Sequence, residues 1–339
     1  MIKMKELKER IDTLARGELL STKEFASIIE CDNQDLLSYL YQKEDEVLYQ
    51  NFKNDVYIRA IIEFSNYCRC SCYYCGLRCE NSDVTRFRMQ PDEIITTAKN
   101  AVDVGYQTII LQSGEDLFYT KQMIGELVKA IKKQTGITVT LSVGERDFEE
   151  YKYWKECGAD RFLIKQEISD EKLYNEYHPH SNFQNRLRCL RELSSLGYEL
   201  GSGFMVGLPK STPQTLANDL LLLRSLDVKM AGIGPYISHC KTPFSNQPDG
   251  KMELTLRVLA LARLLLPKSY LPSTTALNVK GGLVNALHCG ANVIMQKATP
   301  FAYRDLYDIY PGRESAHVEL KQQLFDLKQQ LIQLGKNPL

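Results

Sequence analysis

The first fifty residues carry apolar side chains at helical spacing and no strand-like run: Leu7, Ile11 and Leu14, then Phe25, Ile28 and Ile29, then Leu36, Leu37 and Leu40. This pattern predicts a helical extension over 1–50. From Tyr57 onward short apolar or β-branched runs alternate with amphipathic stretches, as in successive βα units around a parallel sheet. Eight runs can be read: YIRAIIEF from Tyr57, QTIILQ from Gln107, ITVTLS from Ile137, RFLIK from Arg161, ELGSGFMV from Glu199, VKMAGIG from Val228, SYLPST from Ser269 and ANVIM from Ala291. Helices are expected between most of them, including 91–104, where Pro91 suits a first turn, 121–133 and 212–226. A last amphipathic helix is expected from about Glu314 to Leu334.

Eight βα units predict an α/β fold, a (β/α)8 TIM-type barrel over 51–312 with an N-terminal helical extension and a C-terminal helix within 313–339. An open (β/α)6 arc is the alternative, because the seventh and eighth units are the weakest. In a barrel the chemistry gathers after the strands. There the sequence places a group of cysteines after the first run, Gln112 to Asp116 after the second, Ser142 to Glu145 after the third and Gln166-Glu167 after the fourth. Gly207-Leu208-Pro209, Gly234-Pro235-Tyr236, Thr274-Thr275 and Thr299-Pro300 with Tyr303-Arg304 follow the other four.

Composition narrows the function. Across 339 residues, 42 Lys and Arg balance 42 Asp and Glu, which excludes a protein held on nucleic acid by its charge. A chain of about 300 residues buries about 75% of its unfolded surface, enough for one barrel with extensions. The most apolar stretch, 258–267, is interrupted by Arg263, and the first twenty residues lack a signal-peptide core, so no membrane association and a cytoplasmic location are expected.

Five of the ten cysteines, Cys68, Cys70, Cys72, Cys75 and Cys79, fall in one short window. In a reducing compartment that density points to soft-metal or iron–sulfur ligation rather than disulfides. Cys68-x3-Cys72-x2-Cys75 offers three thiolates directly after a strand, an incomplete set for a four-iron cluster, so one iron would stay open to a non-protein ligand. A closed zinc site would need a fourth ligand, which Cys70 or Cys79 could supply, but no second C-x2-C pair exists in the chain. The isolated Cys31, Cys157, Cys189, Cys240 and Cys289 are expected to be small buried hydrophobes.

CRCSCYYCG, with Tyr74 before the last cysteine, resembles the signature of the radical S-adenosylmethionine (SAM) superfamily. IRAIIEFSNYCRCSCYYCGLR, LQSGED, GADRFLIKQE, GIGPYISHCKTP, CGANVIM and TPFAYRDLYDIYPG together resemble the FeFe-hydrogenase maturase HydE family, and less closely biotin synthase and methylornithine synthase, from about Tyr57 to Gly312. The resemblance implies one 4Fe-4S cluster on Cys68, Cys72 and Cys75, its open iron chelated by SAM. It further implies Tyr74 beside adenine, Ser113-Gly114-Glu115 at the SAM amino group, Glu167 at the ribose, Arg186 at the methionyl carboxylate, and Ser142 and Met205 nearby. On residues alone, Glu115 could equally cap the next helix and Arg186 could be an ordinary helix-surface arginine.

For the substrate end the resemblance implies Gln112, Arg161, Met230, Thr274, Thr275, Tyr303 and Arg304 around an anionic, cyanide-bearing iron complex. His178, His180 and His239 show no metal-ligand spacing and are expected at the surface or in loops. HydE sequences often add C-terminal cysteines for an accessory cluster; beyond Gly290 this chain has none, so no second cluster is expected. Lys165-Gln166 also stand where a basic residue and a histidine are expected. The implied activity is reductive cleavage of SAM to a 5′-deoxyadenosyl radical that acts on a cysteine-bound iron carbonyl cyanide complex. Its implied partners are this small organometallic substrate, a ferredoxin or flavodoxin as low-potential electron donor, and the other hydrogenase maturases. The alternatives are another radical reaction on an amino acid or thiazolidine, or a non-catalytic iron–sulfur scaffold.

Overall fold

The computed structural model describes residues 3–313 and 317–339. Three helices, α1 (Met4–Ala15), α2 (Thr22–Ile29) and α3 (Gln34–Phe52), precede the sheet. Then come β1 (Asp55–Ser65), α4 (Pro91–Val104), β2 (Thr108–Ser113), α5 (Lys121–Thr135), β3 (Thr138–Ser142), α6 (Phe148–Glu156) and β4 (Arg161–Leu163). After α7 (Glu171–Tyr177) and α8 (Phe183–Ser195) the chain continues through β5 (Glu199–Val206), α9 (Pro213–Ser225), β6 (Met230–Pro235), α10 (Met252–Leu265) and β7 (Pro272–Ser273). It closes with α11 (Thr275–Val279), α12 (Leu283–Leu287), β8 (Val293–Lys297), α13 (Phe301–Arg304), α14 (Leu320–Gln333) and β9 (Asn337–Pro338).

Helix starts follow local chemistry. Ser21 and Glu24 form a reciprocal capping box at α2, Asn33 and Thr120 cap α3 and α5, and Pro91 and Pro213 open α4 and α9 where a missing N–H costs nothing. The apolar stripe of α1, Leu7, Ile11 and Leu14, is buried, and α2 and α3 pack on α9 and α10.

The eight expected strands are all present and parallel, in the order β6-β5-β4-β3-β2-β1-β8-β7. Between β6 and β7 the ring is joined only at its N-terminal rim, where Ala231 N–H donates to the Tyr270 carbonyl and Tyr270 N–H to the Lys229 carbonyl, each at 2.9 Å. β7 shrinks to two residues because Pro272 has no N–H to donate to a ladder. The fold is thus the near-closed (β/α)8 barrel rather than the open arc. β9 was not anticipated. It pairs Asp55 with Asn337 beside β1, through two residues too few to carry a periodic signal.

Along β1, Ile58, Ala60, Ile62 and Phe64 join the core under the helices, while Arg59, Ile61 and Glu63 point inward. The N-terminal end of the interior is filled: Arg59 stacks on Tyr270 at 4.6 Å and reaches Met230 Sδ at 3.1 Å. Open space remains at the C-terminal end. Of the expected last helix, 314–316 lie outside the described residues, and the helix is observed from Leu320. No helix among the described residues is long and apolar enough to cross a membrane.

Candidate active site

The cysteine loop leaves β1 at Ser65 and is fixed from two sides. Cys68 Sγ accepts from the N–H of Cys70 and of Glu115, both at 3.4 Å. A Cβ on Gly114 would sit 2.2 Å from the Tyr67 carbonyl oxygen and 2.8 Å from Cys68 Cβ, so only glycine lets the end of β2 lie this close. Gly76 follows the last cysteine for the same reason: its Cβ would meet the Asp308 carbonyl at 2.3 Å, and its N–H donates to the Ile309 carbonyl at 2.7 Å. Cys68, Cys72 and Cys75 are half-buried. Burial pushes the Cys75 thiol up to about 12, a cost that a cationic centre among the sulfurs would reverse. Of the isolated cysteines Cys157, Cys189 and Cys289 are buried as expected, but Cys31 is half-buried and Cys240, on the loop after β6, is exposed.

Arg186, on the first turn of α8, is buried rather than on the helix surface. Its Nε donates to Glu145 at 2.7 Å, and its Nη1 donates to the Lys165 carbonyl. Glu145 also accepts from Asn185 at 2.6 Å and from Ser181 at 2.9 Å. Burial by itself would raise the Glu145 carboxyl, but Arg186 and these donors override it and hold it below its ordinary value. Glu115 does not cap a helix, a role Thr120 takes at α5. It accepts from the Glu145 N–H at 3.0 Å and pairs with Arg69 at 3.1 Å, 4.0 Å from Arg186.

Glu167 sits in the left-handed region at φ 62°, held by Glu167 N–H to the Gly203 carbonyl and Met205 N–H to the Glu167 carbonyl. Its Oε2 is buried without a hydrogen-bond partner among the described residues, and burial raises its pKa against the pull of Lys165 and Arg186. Tyr74 meets His178, which is buried rather than at the surface. Burial, reinforced by the Arg186 charge, lowers His178 to about 4, so the ring is neutral. Its Nδ1 donates to the Tyr174 carbonyl and its Nε2 accepts from the Tyr74 hydroxyl, both at 2.7 Å. His239 is likewise buried, 3.2 Å from Asp308, while His180 is exposed.

Two cavities meet here. One of about 210 Å³ is lined by the cysteine loop, Gly114, Glu115 and His178; the other, of about 320 Å³, occupies the open end of the barrel. Tyr74, Ser113, Glu167 and Arg186 line both, together with Tyr307 and Ile309. Gln112, Ser142, Met205, Met230, Thr274 and Thr275 line the barrel cavity. Three expected substrate residues do not.

Arg161 opens β4 and therefore lies at the opposite rim, where its Nε pairs with Glu199 at 2.5 Å beside Arg59 and Tyr270. Tyr303 stacks on Phe87 and donates to Glu93 at 2.9 Å, and Arg304 Nε donates to the Thr299 carbonyl at 3.0 Å. The wall after β8 is made one and two turns later by Tyr307, Tyr310 and Arg313. Arg313 pairs with the fully buried Glu63, whose other oxygen has no hydrogen-bond partner among the described residues, and Gln112 donates to the Tyr307 hydroxyl at 3.3 Å. The polar residues nearest the strand end were the visible signal; this loop travels further before it turns inward. Lys165, Glu145 and His178 were also missed, although Lys165 stands two residues from Glu167 and Glu145 three from Ser142.

The family model described as the Radical SAM superfamily matches residues 62–223, which takes in the cysteine loop and the strands through β5. This is the class that the parallel barrel and the loop after its first strand define. The chain is 50% identical over 276 residues to the [FeFe] hydrogenase maturase subunit HydE of Thermotoga maritima, covering 81% of this chain and 79% of the relative. It is 27% identical to 3-methylornithine synthase of Methanosarcina acetivorans over 84% of this chain and 81% of that one. The structure of methylornithine synthase superposes with a TM-score of 0.83 at 22% identity over 97% of both chains. That of the maturase HydG from Carboxydothermus hydrogenoformans gives 0.84 at 22% over 98% of this chain and 79% of that one, a likeness of fold. The chain belongs to the HydE family of radical SAM enzymes.

The superfamily implies a 4Fe-4S cluster and SAM, and the residues fit both. Three thiols turn into a shared cavity, Gly114 leaves the space a side chain would fill, and Glu167 keeps a buried carboxylate oxygen without a donor among the described residues.

Proposed function

We propose that the protein reductively cleaves SAM and directs the resulting radical at a cysteine-bound iron carbonyl cyanide complex during assembly of the hydrogenase diiron subcluster. When bound, the cluster supplies the electron and SAM the 5′-deoxyadenosyl group. Cys68, Cys72 and Cys75 would hold the cluster. Glu167 would accept from ribose hydroxyls through the oxygen that has no donor among the described residues, Arg186 would clamp the methionyl carboxylate, and Glu115 would take the amino group. Tyr74 donates a hydrogen bond to His178, which would fix the plane of its ring for adenine.

One observation carries the reading: the cavity at the thiols and the barrel interior share Tyr74, Ser113, Glu167 and Arg186 as a common wall. A reactive carbon radical formed at that wall faces the barrel interior, where a bound substrate would be held within reach. Deeper in, Lys165 supplies positive charge, Arg313 supplies N–H donors beside its Glu63 partner, and Thr274, Thr275 and Tyr310 supply hydroxyls, which suits an anionic, cyanide-bearing substrate. The 50% identity to HydE favours that substrate over an amino acid. A ferredoxin or flavodoxin would serve as electron donor and the other hydrogenase maturases as partners, in the cytoplasm.

The test is anaerobic 5′-deoxyadenosine formation from SAM with dithionite. The wild-type protein is expected to form it, Cys72→Ala to lose it, and the synthetic iron complex to accelerate it. Cleavage without acceleration by the complex would reject the proposed substrate, and a cluster-loaded protein that neither binds nor cleaves SAM would reject the enzyme reading.

A further inference from the structure

Two cysteines of the loop, Cys70 and Cys79, have no part in the three-thiolate motif, and His180 has none in the cavity chemistry described above. We infer that Cys79, Glu80 and His180 form a separate binding site for a soft divalent cation of the zinc class at the rim of the cavity that holds the thiols.

Cys79 Sγ, a Glu80 carboxylate oxygen and a His180 ring nitrogen lie within 4.8 Å of one another, and Glu80 Oε1 is 3.8 Å from His180 Nε2. Tetrahedral zinc, with bonds of about 2.0–2.3 Å, sets its ligands roughly 3.3–3.6 Å apart, so the glutamate and histidine close by a few tenths of an ångström and the thiol, within 4.8 Å of both, by no more than about 1.5 Å. An exposed histidine–glutamate pair alone would contribute little. The thiol changes the chemistry, because sulfur with imidazole selects zinc-like ions over magnesium or calcium.

The group has a buried support. Ser71 is 2% exposed, its hydroxyl donates to Glu80 Oε1, and it lies 3.1 Å from Cys79 Sγ, so one fixed side chain orients two of the three ligands. Arg78 occupies the other Glu80 oxygen at 3.2 Å, which leaves Oε1 as the oxygen aimed at the histidine. Three protein ligands leave at least one position for water.

The site joins two separate segments. Cys79 and Glu80 end the cysteine loop, and His180 stands in the connector between α7 and α8. That connector is already tied to the cavity wall on both sides of His180, by His178 to Tyr74 and by Ser181 to Glu145. A bound cation would add a third tie across the mouth.

The experiment uses protein already loaded with its iron–sulfur cluster, so that Cys68, Cys72 and Cys75 are occupied and do not compete. The protein is equilibrated with zinc, passed through gel filtration without free zinc, and its metal content measured by mass spectrometry. Wild-type protein is expected to retain one zinc beyond the cluster, with sulfur and nitrogen or oxygen neighbours in its X-ray absorption. His180→Ala and Cys79→Ser, which change exposed side chains on different segments, are each expected to lose it while keeping the cluster absorption. Wild-type protein that retains no zinc, or variants that retain as much as wild type, would overturn the site. These outcomes leave the radical chemistry untouched, since neither residue is a cluster ligand.

Discussion

Removing the Glu145 carboxylate is expected to destabilise the protein through Arg186. The two side chains are 6% and 10% exposed and meet at 2.7 Å, and Glu145 also takes donors from Asn185 and Ser181. In Glu145→Ala the guanidinium stays buried without its carboxylate, and breaking a buried pair in this way costs about 3–5 kcal/mol. Arg186 keeps the Lys165 carbonyl and has Glu115 at 4.0 Å, which places the expected loss near the lower figure, about 3 kcal/mol. Urea unfolding can be followed through Trp154, the single tryptophan, which is fully buried on α6, the next element after Glu145. The double variant Glu145→Ala/Arg186→Met removes the stranded charge as well and should recover at least about 1 kcal/mol of the loss.

The pH dependence has a definite sign. The Glu145 carboxyl is lowered in the folded state, so its contribution is complete above its unfolded value of about 4.3 and disappears as pH falls through the folded value. The gap between wild type and Glu145→Ala should therefore close in acid. A loss below about 1 kcal/mol at neutral pH, or strict additivity in the double variant, would refute the claim that Glu145 holds Arg186 in place.

Gly114→Ala should fold yet assemble the cluster poorly, because its new Cβ would stand 2.2 Å from the Tyr67 carbonyl; iron content after reconstitution measures this, and full loading would contradict it. His178 is lowered to about 4 and stays neutral, so the unfolded chain gains a proton first and stability falls as pH drops from about 6.5 toward 4. His178→Asn should flatten that slope in urea midpoints taken against pH, by up to about 3 kcal/mol across the window. Arg161→Ala removes a half-exposed pair with Glu199 and a long hydrogen bond to Thr108 and should leave SAM cleavage and substrate acceleration within about two-fold of wild type, at a stability cost of up to about 1 kcal/mol. Arg313→Met, which strands the buried Glu63, should weaken the response to the anionic complex while SAM cleavage without substrate persists; an unchanged substrate response would remove Arg313 from the pocket.

The order of strands and the place of the cysteine loop were legible in the sequence, because both rest on local patterns: short apolar or β-branched runs, prolines at helix starts, and three cysteines at fixed spacing after one strand. Positions at strand ends, such as Ser113, Ser142 and Thr274, were legible for the same reason, since a barrel strand delivers its C-terminal residue to the open face wherever it lies in the ring. Residues whose place depends on how far a loop travels were not. Arg161 and Arg304 carry the right charge, but one sits at the wrong end of its strand and the other turns back to Thr299, while Arg313 arrives from further along the same connection.

Nor could spacing alone show that Glu145 would meet Arg186 across 41 positions, or that His178 would be a neutral acceptor for Tyr74. Burial and charge pairing are properties of the assembled interior: they set protonation and orientation only once distant segments share a low-dielectric space. Local chemistry thus determined that this chain is a barrel carrying a three-thiolate loop. Tertiary packing decided which charges survive inside it, and which side chains face the cavity.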